Sequence, residues 1–442
     1  MESAPLIVPR SEHSISRKDI DREALKVLYR LRDEGFSAYL VGGAVRDLYL
    51  GKKPKDFDIS TSAHPNQVRK IFRNSRIIGK RFRLVQVFFG GGKIVEVSTL
   101  RSQSEFDDRE EDEVLAHNNT FGTEEEDAFR RDLTINALFY EIENFTIIDY
   151  TGGVADLNDR IVRIVGDPDR RIVRDPVRMM RAVRHAARSG FSIEENSWQA
   201  IIRNLESLRL CPDSRVRDEL FKDLFGTASR PWAELARACG LFFLLLPFYE
   251  GIIPGPGEPE NEAGRLLLAL LGVLDRLQAE GNPLPEPLVL ATLLLPWAQA
   301  ACPALAHPPK GHEAFLLSRE LRDQLDALLH HLNIKRASRE AIVTLLVNLP
   351  VFRQHGATGN YPAWFKRKSY FSAGRLFHQI CQEAEGGAAA ELAQAPSGPL
   401  TVAEAEDDEG EERRSRGRKR APRRGSRAPA FSSGKGGIFG LK

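Results

Sequence analysis

Apolar residues recur at helical spacing over residues 17–34, with Ile20, Ala24, Val27, Leu28 and Leu31 on one face and Gly35 as the stop. The period then shortens. Residues 37–41, 57–60, 83–89 and 94–99 read as short strands, and Gly90-Gly91-Gly92 joins the last two as a hairpin. His64-Pro65 opens a helix that runs through Phe72. These elements predict a small mixed-sheet domain of the α+β class that ends near Tyr150. Residues 102–127 turn acidic and lose periodicity, which predicts a surface loop beside the site. From about Ile161 the spacing is helical almost throughout, interrupted at residues 251–260 (GIIPGPGEPE), which cannot be helical. A second helical block runs to about Ala384. The expected division is a lead-in helix over 1–35, a sheet-bearing domain over 36–150, helical domains over 151–250 and 251–385, and a tail over 386–442 with almost nothing to bury.

The length of 442 residues suits about three domains, and an apolar fraction of 42% leaves room for a polar portion. A net charge of +2 conceals opposed blocks. Residues 404–412 are acidic, whereas residues 413–442 hold eleven Lys or Arg and no acid. A polyanion meets that local charge, not the net value. Cys211, Cys239, Cys302 and Cys381 form no CxxC pair, so neither a disulfide partner nor a zinc site is expected. The start lacks a signal-peptide apolar core, and no apolar run reaches membrane-spanning length. A cytoplasmic protein without a membrane partner is the expectation.

Chemistry concentrates in residues 40–60, LVGGAVRDLYLGKKPKDFDIS. Asp56 and Asp58 stand at i and i+2 on an extended segment, so their side chains share one side. Two such carboxylates repel, and a divalent cation relieves them; hard oxygen ligands suit Mg²⁺ in a two-metal site. Gly42-Gly43 lacks Cβ atoms and lets its amides close on a triphosphate. Glu96, between Val95 and Val97, is a candidate third carboxylate on the strand face opposite those valines. Arg46-Asp47, Arg101 and Arg131 stand where cations would touch phosphates. Lys80, Arg81 and Arg83, with Phe82 among them, are candidate RNA contacts.

The pattern GG-x-x-RD-x-x-x-G followed by DxD resembles the nucleotidyltransferase motif of the bacterial poly(A) polymerase and CCA-adding tRNA nucleotidyltransferase family. The resemblance continues through Arg130-Arg131-Asp132-Leu133-Thr134-Ile135-Asn136-Ala137, Asp149-Tyr150-x-Gly152-Gly153-x-x-Asp156-Leu157 and Asp175-Pro176-Val177-Arg178-Met179-Met180-Arg181, in the family's order, over roughly residues 14–225. It implies a polymerase-beta-like nucleotidyltransferase domain followed by all-α neck, body and C-terminal helical domains. It also implies that Asp132 is catalytic beside Asp56 and Asp58, and that Asn136 and Arg181 help bind the nucleotide. Asp175 and Arg178 would read the incoming base, although Arg174 stands where the family has Glu. On the residues alone, Asp175-Pro176 equally reads as a helix N-cap followed by Pro at the first turn.

Resemblance points to the polyadenylating branch through residues 13–31, residues 78–85 and the arginine-rich tail. Gln86 replaces that branch's usual histidine. The implied reaction is attack of an RNA 3′ end (mRNA, small RNA or tRNA) on ATP; CCA addition is the alternative. Arg178, Arg181, Arg184, His185 and Arg188 share one side of a helix and read as a phosphate track. In the tail, Arg413, Arg414, Arg418, Lys419, Arg420, Arg423 and Arg424 supply sequence-blind RNA affinity. Residues 361–370, YPAWFKRKSY, interleave aromatic and basic side chains able to stack bases and hold phosphates.

Overall fold

The computed structural model describes residues 4–79, 83–102, 121–281, 283–356 and 358–391. Lys80, Arg81, most of the acidic 102–127 segment and all seven tail cations named above lie outside the described residues.

An eight-stranded mixed sheet forms the N-terminal part. Its strands are β1 (Leu6–Val8), β2 (Ala38–Val41), β3 (Asp58–Thr61), β4 (Ser75–Ile78), β5 (Leu84–Phe88), β6 (Ile94–Thr99), β7 (Leu138–Glu141) and β8 (Thr146–Asp149), in spatial order β1-β8-β7-β2-β3-β6-β5-β4. Only the β3–β6 pairing within it is parallel. The expected strands at 37–41, 57–60, 83–89 and 94–99 are present within a residue or two, and the hairpin turns at Gly90–Gly92. The other four strands were not legible. β7 is buried on both faces, so it shows no alternation, and β1 has only three residues in which to show any.

Helix α1 (Arg22–Asp33) covers one face of this sheet. Asp21 accepts the amides of Glu23 and Ala24 at its start, and Ala24, Val27, Leu28 and Leu31 are buried. Two short helices follow, α2 (Gly43–Tyr49) and α3 (Pro65–Ile71), then α4 (Glu124–Arg130), α5 (Gly153–Asp159) and α6 (Pro168–Arg174). Next come α7 (Val177–Ser189), α8 (Glu195–Arg203), α9 (Asp213–Leu224), α10 (Ser229–Ala238) and α11 (Leu241–Leu245). The last six are α12 (Glu262–Ala279), α13 (Glu286–Ala301), α14 (His312–Leu328), α15 (Arg336–Gly356), α16 (Ala363–Lys366) and α17 (Phe371–Ala384). The main apolar core runs from Val8 to Ala390, while a small second cluster of Val41, Leu100, Ala128, Ala137, Phe139 and Val165 lies beneath the site.

Candidate active site

The end of β2 sets the site. Gly42 adopts φ +70°, ψ −137°, a conformation that side chains strain to reach, and a Cβ there would stand 3.4 Å from Arg131 Nη1. The chain therefore turns tightly into α2 beneath that guanidinium. Arg131 is fixed from several sides. It donates to Asp127 Oδ2 at 2.9 Å and to Ser60 Oγ at 3.3 Å, and it lies over the Phe139 ring at 5.2 Å.

Asp58 opens β3 and is register-paired with Val41 on one side and Glu96 on the other. The parallel β3–β6 register thus sets two carboxylates on adjacent strands. Solvent reaches Asp58 from the cleft, yet protein encloses it elsewhere. Burial first, then the charges of Glu96 and Asp56, raise its pKa, with Arg131 opposing them. Asp56 is exposed and precedes the strand, so strand alternation does not place it; its charge is nonetheless felt at Asp58. Gln86, opposite Glu96 on β5, donates from Nε2 to Glu96 Oε1 at 3.0 Å. Sequence reasoning noted Gln86 only as a departure from a family pattern.

The donor set suits a hard divalent cation: Asp58 and Glu96 on adjacent strands, with Asp56 close in charge. Among the described residues, however, no three His, Cys, Asp or Glu side chains are gathered as a metal site. Asp132 in particular is turned elsewhere. Its Oδ1 lies 3.0 Å from Arg178 Nη1 and its Oδ2 2.5 Å from Arg181 Nη2.

A cleft of about 750 Å³ is lined by Asp58 and Glu96 together with arginines. Arg101, Arg130, Arg131, Arg171, Arg174, Arg178, Arg181 and Arg215 all line it. Crowding acts on their acidity. Burial, reinforced by Arg178, pushes the Arg171 pKa down to about 10, and burial likewise lowers Arg101 and Arg130. Arg171 is tied down by donating to the carbonyls of Arg130 and Arg131 at 2.8 and 2.7 Å. A polyanion entering here would relieve cation repulsion already present. Arg130, Arg171 and Arg215 were missed as site residues. The signal for one of them was present, since arginines recur at 171, 174, 178 and 181, a helical spacing carried across the break at Asp175-Pro176.

Several expected contacts are placed differently. Asp175 makes no side-chain cap on α7; it pairs instead with Arg215 at 3.0 Å and faces Arg178 at 4.0 Å. Arg46, Asp47 and Asn136 do not line the cleft. Arg46 pairs with Asp47 at 2.8 Å and donates from Nη1 to Asn136 Oδ1 at 2.6 Å and to His185 Nδ1 at 3.2 Å. Burial, followed by Arg46 and the arginines of α7, holds the His185 pKa well below its ordinary value. This network braces α2 against α7.

The basic stripe on α7 is also divided. Arg178 and Arg181 face the cleft, but Arg184 is buried between Glu219 and Asp223, the latter at 3.0 Å. Arg188 donates to the Lys222 carbonyl at 2.7 Å, packed on Gly226. Arg184 serves the contact of α7 with α9 rather than an exposed track, because a desolvated guanidinium holds its charge only when paired, whereas Arg188 reaches α9 while remaining exposed. Arg83 is exposed just before β5 and does not line the cleft.

Residues 38–163 match the family described as the poly A polymerase head domain, and residues 190–252 the one described as the probable RNA and SrmB-binding site of polymerase A. The fold is shared with the CCA-adding enzyme of Bacillus stearothermophilus, solved in complex with CTP, at a TM-score of 0.60 and 27% identity over 83% of this chain and 78% of that one. The sheet and its cleft are those of a nucleotidyltransferase. Poly(A) polymerase I of Salmonella typhi is 38% identical over 95% of this chain and 93% of its own length. The CCA-adding enzyme of Lactobacillus helveticus is 42% identical, but over only 48% of this chain. The chain belongs to the poly(A) polymerase family.

Proposed function

We propose that this protein adds AMP from ATP to RNA 3′ ends without a template, releasing pyrophosphate, in the processing and decay of mRNA and small RNAs in the cytoplasm. The observation that carries the reading is that Asp58 and Glu96 line one cleft together with eight arginines. Carboxylates there would hold Mg²⁺, with Asp56 completing the set. A bound divalent cation supplies charge neutralisation at the reacting phosphate and lowers the pKa of the attacking 3′-hydroxyl. Arg131, Arg101, Arg130 and Arg171 hold the triphosphate by charge-assisted hydrogen bonds. Arg178, kept in place by Asp132 and facing Asp175, meets the base edge, where a guanidinium donates to ring nitrogens. The five-part division, with the cleft shared between the 36–150 and 151–250 segments, fits this scheme.

Sequence similarity over nearly the whole chain to the poly(A) polymerase I of Salmonella typhi supports polyadenylation over CCA addition, since the sequence match to the CCA-adding enzyme of Lactobacillus helveticus spans 48% of the chain. Incubation with Mg²⁺, a generic RNA and each single NTP tests the reading. Long ladders from ATP alone are expected. Arrest after three nucleotides on a tRNA lacking its 3′ end, with CTP required, would make the protein a CCA-adding enzyme.

A further inference from the structure

Residues 341–382 contain no Asp or Glu, although the chain as a whole holds 61 of them. The cations in that stretch are Arg353, Lys366, Arg367, Lys368 and Arg375. Arg353 is paired with Glu385 at 2.5 Å. The other four are exposed, and among the described residues none meets a carboxylate.

At the centre of this tract the single turn α16 sorts two adjacent rings. Phe365 is buried and packs on Phe352 at 4.6 Å and Phe371 at 5.6 Å between centroids. Its neighbour Trp364 lies against it, with ring centroids 5.3 Å apart, but is 59% exposed. Consecutive helical side chains diverge by about 100°, so anchoring Phe365 in the core forces Trp364 outward. An indole held at the surface by a buried neighbour, beside unpaired cations, has a high cost for a solvated face and no use in the core.

We propose that Trp364, with Lys366, Arg367, Lys368 and Arg375, is a binding platform for single-stranded RNA. A base stacks on the exposed face of the indole, and the phosphates on either side meet the cations. The chemistry favours RNA over an acidic protein surface because an acidic surface uses the charges but leaves the indole without a partner. The platform lies outside both segments matched by family descriptions, 38–163 and 190–252. It rests on RNA being the polymer this enzyme extends.

The full-length protein is titrated with a fluorescein-labelled A20 oligonucleotide while tryptophan emission is followed in a parallel unlabelled series. Trp364→Ala should weaken binding about 5- to 100-fold with the salt dependence unchanged. Changing Lys366, Arg367 and Lys368 together to Ala should make the slope of log K against log salt shallower by about 2. Oligo(A) should quench wild-type emission, inorganic polyphosphate should not, and Trp364→Phe should lose the quench while keeping most of the affinity. Unchanged affinity, slope and quench in these variants would overturn the platform, as would equal quenching by polyphosphate. AMP incorporation by the wild type, measured separately on a short primer, distinguishes failure of the platform from failure of the adenylyltransfer reading.

Discussion

Asp132 bridges two arginines that stand three residues apart on α7: Arg178 at 3.0 Å through one oxygen and Arg181 at 2.5 Å through the other. It precedes the short turn that leads into β7, whereas both arginines lie on α7. The carboxylate therefore ties the sheet-bearing segment to a helix whose arginines line the cleft. Its two oxygens are used on guanidinium groups rather than on Asp58 and Glu96.

Substituting Asp132→Asn removes the charge from both contacts. Hydrogen bonds to charged groups contribute about 1.5–3 kcal/mol each, so Arg178 and Arg181 should lose their fixed positions. The expected result is a KM for ATP raised by tenfold or more, with kcat reduced less. Steady-state kinetics decide it. A kcat loss above a hundredfold at unchanged KM would return Asp132 to the reacting centre, as the family resemblance implies.

Asp58→Ala should abolish transfer, because the loss of several kcal/mol of metal-assisted stabilisation corresponds to a thousandfold or more in rate. Folding should survive. Removing one of three like charges relieves repulsion, so the melting temperature in EDTA should match or exceed that of the wild type. Mg²⁺ should raise the wild-type melting temperature by linkage and leave that of the variant unmoved. An equal Mg²⁺ shift in both proteins would place the cation elsewhere.

Gly42→Ala tests the turn that carries the site. At φ +70° and ψ −137° an alanine is strained by about 1–3 kcal/mol, and its methyl would press on Arg131. Denaturant unfolding should report that loss, and the KM for ATP should rise as Arg131 is displaced. A variant as stable as the wild type would mean that the backbone here relaxes without cost.

Asp223 gives stability a distinctive pH dependence. Burial, with Glu219 beside it and Arg184 opposing, pushes its pKa up to about 7. A carboxyl raised above its unfolded value favours the folded state when protonated. That contribution is complete below about pH 4 and is lost as pH rises through about 7. Asp223→Asn cannot ionise, so its melting temperature should gain on the wild type between pH 5 and pH 8. A difference that stays constant over that interval would show that Arg184 dominates and holds Asp223 ionised.

By itself the sequence determined the local chemistry. Strand and turn signals over 37–60 placed Gly42-Gly43 and Asp58, since a glycine pair after an apolar run and a carboxylate at a strand start depend on neighbours within a few residues. Helical spacing likewise revealed α1 and the apolar face of α7. Tertiary structure decided everything that depends on which distant segment lies alongside. The opposition of Asp58 and Glu96 follows from the parallel register of β3 and β6, and the donation from Gln86 to Glu96 from the β5–β6 hairpin. Arg184 and Arg181 look equivalent along the helix, yet one is buried against Glu219 and Asp223 of α9 and the other faces the cleft. Helical period fixes which residues share a side, but only tertiary packing determines which of them is buried against the carboxylates of α9 and which meets Asp132 at the cleft.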